Sequence, residues 1–187
     1  MNEPARRMTL AEYLALEAGG EVRYEFLNGE VFAMAGGSPE HAAIAGNVIG
    51  HLRGVLRDRP CQVFTSDAKV AIEATGLFTY PDVTIVCGEV QRSKKVDAAI
   101  VNPVLLVEVT SDSTEDWDRG GKFAHYRQIS SLREYLVISQ TERFIEHHVR
   151  RDDGSWILTD VRGEASIALA SVPGALPLDE VYLKIEL

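Results

Sequence analysis

Positive charge is in short supply in this chain. Its 187 residues hold 19 Lys and Arg against 28 Asp and Glu, a net charge of −9. A diffuse electrostatic grip on nucleic acid is excluded, because that grip depends on a basic excess neutralising phosphates. A nucleic-acid site here has to be a local basic patch or has to use bound cations. Cysteine is scarce as well. Cys61 and Cys87 are too few for a disulfide framework and have no metal-type spacing. They read as reduced core thiols in a cytoplasmic protein. No apolar run approaches the roughly 20 residues that cross a bilayer, which excludes a transmembrane helix, and no membrane partner is expected. Two arginines stand in "MNEPARRMTLAEY", but no apolar segment follows them, so no signal peptide is expected. There is no internal repeat, low-complexity tract or Ser/Pro-rich linker, and residues 1–187 read as one domain, long enough to bury a core. The "GxSxG" elbow of a Ser/His/Asp hydrolase is missing. The glycines of "MAGGSPE" lack the lysine and the strand–loop–helix context of a phosphate loop.

What is present is an alternation of helix and strand signals. "TLAEYLALEAGG" reads as a short helix: Thr9 caps it, Glu12 is the third helical residue, and Gly19-Gly20 ends it. "VRYEFLNGEVFAM" alternates apolar residues around Asn28-Gly29, a strong hairpin signal. In "SPEHAAIAGNVIGHLRGVLRDR", Ser38 is a cap and Pro39 the first helical residue, while Ile44, Val48, Leu52, Val55 and Leu56 recur at helical spacing. "CQVFTSDAKVAIE" gives one or two strands, and "DVTIVCGE" and "NPVLLVEVTS" one each, with "VQRSKKVDAA" an exposed basic loop between them. "STEDWDRGGKFAHYRQI" reads as a helix with acids in its first turn and Gly120-Gly121 weakening its middle. "EYLVISQ", "RFIEHHVRR" and "SWILTDVR" form a β-meander that turns at Asp153-Gly154. The tail adds an edge strand and a short final turn. This order is that of an α/β (α+β) fold with a mixed sheet.

One letter in "NPVLLVEVTS" is out of keeping. Alternation puts Glu108 on the face of Leu106 and Thr110. A carboxylate that deep in an apolar strand costs several kcal/mol unless it is paired or binds a cation. A salt bridge to one basic residue, or a strand end reaching water, is the plain explanation. Asp82 opens another apolar strand in "YPDVTIV", where a Pro-Asp pair is also an ordinary turn signal. Asp118, Lys122 and Tyr126 recur every four residues and share a helix face. Alone, Asp118 and Lys122 would be a surface ion pair. Together, two carboxylates from neighbouring strands and a lysine suit Mg²⁺-assisted phosphoryl chemistry: oxygen ligands for the ion, and an amine to meet phosphate charge.

The stretches "YPDVTIV", "NPVLLVEVTSDST", "DRGGK" and "HYRQISSLREYLVIS" resemble the Uma-two family of restriction endonucleases, within the PD-(D/E)xK nuclease superfamily. "YEFLNGEVFAMAGGSPEHAAIAGNV" and "SVPGALPLDEVY" extend the likeness over nearly the whole chain. The resemblance implies a restriction-endonuclease-like core: a mixed central β-sheet flanked by helices, with an N-terminal hairpin and a C-terminal β-meander. It implies Asp82 and Glu108 as metal carboxylates, Mg²⁺ (or Mn²⁺ as a substitute) as cofactor, and DNA as partner. The superfamily's lysine position, two residues after Glu108, holds Thr110. Lys122 from the following helix matches the family's replacement, with Lys69 the rival. Glu25, in the hairpin, is a candidate further acid or a solvent-facing strand residue. His41, in the first turn of the long helix, is a candidate to orient water or touch phosphate. Tyr126 is as suited to the core as to the site, and Asp67 and Asp118 are secondary acids. His147 and His148 point to opposite faces and cannot easily share a metal. His51 and His125 have no partner at ligand spacing, and Trp117 and Trp156 read as packing residues. A homodimer is compatible with an enzyme that cuts both strands. The alternative function is a catalytically inactive nuclease-fold module that binds or regulates.

Overall fold

In the structure, a computed structural model, residues 7–20, 22–34, 36–110 and 117–187 are described. The first helix, α1 (Leu10–Ala18), starts at a capping box: the Thr9 hydroxyl accepts the Glu12 N–H, and the Glu12 carboxylate accepts the Thr9 N–H. Strands β1 (Tyr24–Leu27) and β2 (Glu30–Ala33) form the expected hairpin. Asn28 and Gly29 both have positive φ, 49° and 95°, which is why this dipeptide turns the chain so tightly. The long helix α2 (Pro39–Val55) begins where Ser38 accepts the His41 N–H, and it buries Ile44, Val48 and Leu52.

"CQVFTSDAKVAIE" becomes two strands, β3 (Cys61–Thr65) and β4 (Val70–Ile72), which belong to different sheets. An unexpected strand, β5 (Leu77–Thr79), follows; three residues are too few to show periodicity. Next come β6 (Val83–Cys87) and β7 (Leu105–Thr110). The segment between them exposes Arg92, Lys94 and Lys95 as expected but is anchored by buried Val96, Ala99 and Ile100. The helix expected from Ser113 differs in detail. Its start and first-turn acids, residues 113–116, lie outside the described residues. The remainder is a π-helical turn, Trp117–Lys122, leading into α3 (Phe123–Tyr126). The two glycines sit in that wider turn, and a Cβ on Gly121 would come within 1.8 Å of the Trp117 ring.

The meander is β8 (Glu134–Ser139), β9 (Phe144–Arg150) and β10 (Trp156–Arg162). The tail does not add an edge strand to it. Instead β11 (Ser166–Ala168) and β12 (Ala175–Pro177) pair only with each other, before a short helix, α4 (Leu178–Val181). Buried Glu134 holds the connecting segment by accepting the N–H groups of Ala170 and Ser171 and the Ser171 hydroxyl.

The central sheet has six strands in the order β10-β9-β8-β7-β6-β3, antiparallel except for the β7–β8 pair, so it is mixed as expected. A second sheet has the order β2-β1-β5-β4. Alternation along β7 sorts the core into layers. Leu105, Val107 and Val109 face α2, α4 and the β11–β12 ribbon. Leu106, on the other face, joins Tyr126, Ile129, Tyr135 and, from the second sheet, Val70, Ile72 and Leu77. Tyr13 of α1 covers the far side of the second sheet with Phe26 and Phe78.

The cysteines differ from expectation. Cys61 stands opposite Cys87 at the end of the β3–β6 ladder, with Cα atoms 3.9 Å apart and the sulfurs joined as a disulfide. Strand register, which spacing alone does not reveal, brings them together. Among the described residues no helix is long and apolar enough to cross a membrane.

Candidate active site

Glu108 is the centre of the site. It lies on the face of β7 that looks toward the second sheet and α3, and only 3% of it is exposed. Tyr126 donates its hydroxyl to Glu108 Oε1 at 2.6 Å, and Lys122 Nζ donates to the same oxygen at 3.1 Å. Lys122 is itself 6% exposed and meets two further carboxylates, Asp118 at 3.1 Å and Glu25 at 3.2 Å. The Asp118–Lys122 pair is therefore no surface salt bridge. Spacing of four residues aligns Asp118, Lys122 and Tyr126 as expected, even though the intervening turn is π-helical.

Glu25 reaches the site because β1 alternates: Phe26 enters the layer under α1, while Glu25 points back toward the central sheet. The Thr79 hydroxyl of β5 donates to it. The solvent-facing alternative for Glu25 is thus not what the structure shows. Thr79 itself carried no sequence signal, since its partner is 54 residues away.

Asp82 immediately precedes β6. The β6–β7 register pairs Val83 with Val107, so one step further sets Asp82 beside Glu108. Its carboxylate is held on both sides: His41 Nε2 donates to Oδ1 at 2.9 Å, and the Val109 N–H donates to Oδ2 at 2.8 Å. His41 comes from the first turn of α2, whose N-terminus ends at the same rim. A Cβ on Gly37 would press on the His41 ring at 2.8 Å, so glycine leaves the imidazole its place.

Several other expected residues stand elsewhere. Lys69, the rival lysine, is buried in a separate cluster where it pairs with Glu17 and lies over the rings of Tyr13 and Tyr80. Asp67 is exposed and pairs with Arg23. Thr110, at the superfamily's lysine position, is buried and donates its hydroxyl to the Ile138 carbonyl. His147 bonds to Glu134 while His148 lies among Phe123 and Tyr135, on opposite faces as alternation requires. His51 has a partner that spacing did not show, the Ala175 carbonyl at 2.7 Å. Trp156 stacks edge-on against Phe123 as a packing residue.

The electrostatics follow from this geometry. Burial lifts the Glu108 carboxyl well above the usual range; Lys122 opposes that, and the charges of Asp118 and Asp82 add to it. Burial works against the Lys122 charge, yet Glu108, Glu25 and Asp118 together outweigh it and hold the ammonium well above its usual pKa. The hydrogen bond to Asp82 raises the His41 pKa, against the effect of burial. Asp82, Glu108, Glu25 and Asp118 thus surround one shared ammonium and one imidazole. The donors of this set are hard oxygens, the kind that a divalent cation of the Mg²⁺ type takes. Among the described residues no group of three or more His, Cys, Asp or Glu side chains is arranged to hold a metal.

The sequence model of the Uma2 family, described as "Putative restriction endonuclease", matches residues 10–179. The uncharacterized protein slr1290 of Synechocystis is 33% identical over 179 residues, covering 96% of this chain and 93% of that protein. A second uncharacterized Synechocystis protein, sll1609, is 35% identical over 157 residues, covering 84% and 89%. A crystal structure described as a putative nuclease belonging to DUF820, from Anabaena variabilis, superposes with a TM-score of 0.74 at 15% identity. The match covers 94% of this chain and 97% of that one, and it shows that the fold is shared.

Proposed function

Because the chain belongs to the Uma2 family, we propose that it is a metal-dependent endonuclease hydrolysing phosphodiester bonds of DNA, with Asp82 and Glu108 holding Mg²⁺, or Mn²⁺ in its place. One observation carries this reading: Asp82, just ahead of β6, and Glu108, in the neighbouring β7, lie near each other at one rim of the sheet, with a buried lysine 3.1 Å from Glu108. Bound there, the ion would polarise a phosphate oxygen and lower the pKa of a water.

The chain's own residues do the rest. His41 and the Val109 N–H fix the Asp82 carboxylate by a hydrogen bond to each oxygen. Tyr126 fixes one oxygen of Glu108, Oε1, by a single hydrogen bond. Lys122 presents its ammonium beside Glu108, where it can meet negative charge developing on phosphate. Glu25 and Asp118 hold that ammonium from its other side. Preorganised donors of this kind need no rearrangement at the moment of reaction.

One feature favours a second reading, a binding or regulatory module without catalysis: Lys122 already serves as counter-ion to three of the acids. Incubation of plasmid DNA with the protein in Mg²⁺ or Mn²⁺ separates the two. Metal-dependent nicking or linearisation, lost in Glu108→Gln, is the expected outcome. Folded protein that cuts no nucleic acid in either metal contradicts the nuclease reading and favours the module.

A further inference from the structure

At the end of the central sheet away from Asp82, the Cys61–Cys87 disulfide closes the β3–β6 ladder. Asp82 precedes the first residue of β6 and Cys87 is its last, so the nuclease chemistry does not involve this end. Neither cysteine is fully buried. Cys61 lines a cleft of about 630 Å³ whose wall also carries Arg53, Arg57, Gln62, Val63 and Phe64. Arg53 is in the last turn of α2, Arg57 lies just beyond the helix, and both are exposed. Arg53 and Arg57 share this cleft with half-buried Cys61, in a chain that is otherwise strongly acidic, so a small anion would collect near one sulfur of the disulfide.

We propose that the Cys61–Cys87 disulfide is a thiol-exchange site for anionic low-molecular-weight thiols, recruited by Arg53 and Arg57. The chemistry balances with that thiol as reductant. A thiolate in the cleft attacks Cys61 Sγ; the new sulfur–sulfur bond joins it to Cys61, and Cys87 Sγ leaves as a thiolate and takes up a proton. A second thiolate attacks the small-molecule sulfur of the mixed disulfide. It releases Cys61 as a thiol and the two small thiols as their own disulfide, so the protein gains two electrons and two protons. Cys61 is the sulfur attacked because it is the one that lines the cleft. Arginine charges raise the local concentration of the anionic thiol, so the preference is for charge and fades with salt.

The test follows reduction of the full-length, air-oxidised protein by glutathione, which is anionic, and by 2-mercaptoethanol, which is neutral, with thiol release read by alkylation and mass. In the Arg53→Glu/Arg57→Glu variant, reduction by glutathione is expected to slow by about tenfold at low salt, an effect of the size field focusing produces. Reduction by 2-mercaptoethanol is expected to change less than twofold. Arg53→Gln/Arg57→Gln, which only removes charge from exposed positions, is expected to fall between. In Cys87→Ser, oxidised glutathione is expected to leave one glutathione on Cys61. Air-oxidised protein with two free thiols overturns the proposal. So does equal slowing with both reductants, or no slowing with either, or a Cys87→Ser protein that takes up no glutathione.

Discussion

At Lys122 two opposing costs meet. Burying an ammonium is expensive, but removing this one would leave the Glu108, Glu25 and Asp118 carboxylates facing one another in a dry layer. Breaking a buried ion pair from one side costs about 3–5 kcal/mol. Lys122→Met is therefore expected to lose that much in urea unfolding at pH 7.5, and to recover part of it at pH 5, where the acids can take up protons. Glu108→Gln acts on the other side of the balance. It removes a carboxylate whose charge burial disfavours, and it leaves Lys122 two acidic partners. Its stability in metal-free buffer is expected within about 1 kcal/mol of the parent. Similar losses for the two variants would mean the lysine is not the shared counter-ion. His148 gives a pH dependence of its own. Burial, reinforced by His147, lowers its pKa from 6.5 to about 4. A histidine depressed in the folded state contributes stability that is full above its unfolded value and is lost as pH falls toward the folded one. The window is therefore pH 6.5 down to 4, and the loss is about 2 kcal/mol after allowance for screening. His148→Phe, which keeps the ring against Phe123, is expected to flatten that part of the urea pH profile; an unchanged profile would place the titration elsewhere.

At the scale of elements, the π-helical turn is the device that brings a lysine to a strand's end. Gly120 and Gly121 lie side by side in it but are not equivalent. A Cβ at Gly120 meets nothing within 4 Å, whereas at Gly121 it meets Trp117 ring atoms at 1.8 and 2.0 Å. Gly120→Ala is expected to be neutral or to stabilise by up to about 1 kcal/mol through helix propensity. Gly121→Ala is expected to lower the melting temperature clearly, because ring or backbone has to shift, and to displace Lys122 with it. Equal melting temperatures would show that the turn can open without cost. Sequence legibility divides along the same line. The caps at Thr9 and Ser38, the Asn28-Gly29 hairpin and the meander were legible because each is set by neighbours within a few residues. The π turn was not, because nothing in "WDRGGK" distinguishes it locally from a glycine-weakened α-helix. Strand β5 and the separate β11–β12 ribbon escaped for a related reason: three-residue strands carry no period, and their pairing is fixed by tertiary contacts.

For the whole molecule, what sequence could foresee of the site was the residue types, and what it could not was their partners. Asp82 and Glu108 stood out as charges beside or in apolar strands, Lys122 by its helix spacing and the family resemblance, and the fold does gather them. Glu25 was ambiguous until β1 was seen to pair with β5, which turns it toward Lys122. The Cys61–Cys87 pairing needed the β3–β6 register across 26 residues. The charge balance supplies a prediction at this scale. A ligand that binds only the folded chain stabilises it by about 2.7 kcal/mol at a hundred times its dissociation constant. For a chain of this size, that is a rise in melting temperature of roughly 5–10 °C. Saturating Mn²⁺ is expected to produce such a rise in the parent protein and none in Asp82→Asn or Glu108→Gln. A rise that survives in both variants would place the ion elsewhere.

The most direct test is a crystal soaked in Mn²⁺ and measured for anomalous scattering. The account predicts one strong peak within coordination distance of the Asp82 and Glu108 carboxylates, with Lys122 still against Glu108 or turned toward the ion's water. A map with no peak between those two carboxylates, in crystals where Mn²⁺ binds at other positions, would contradict it.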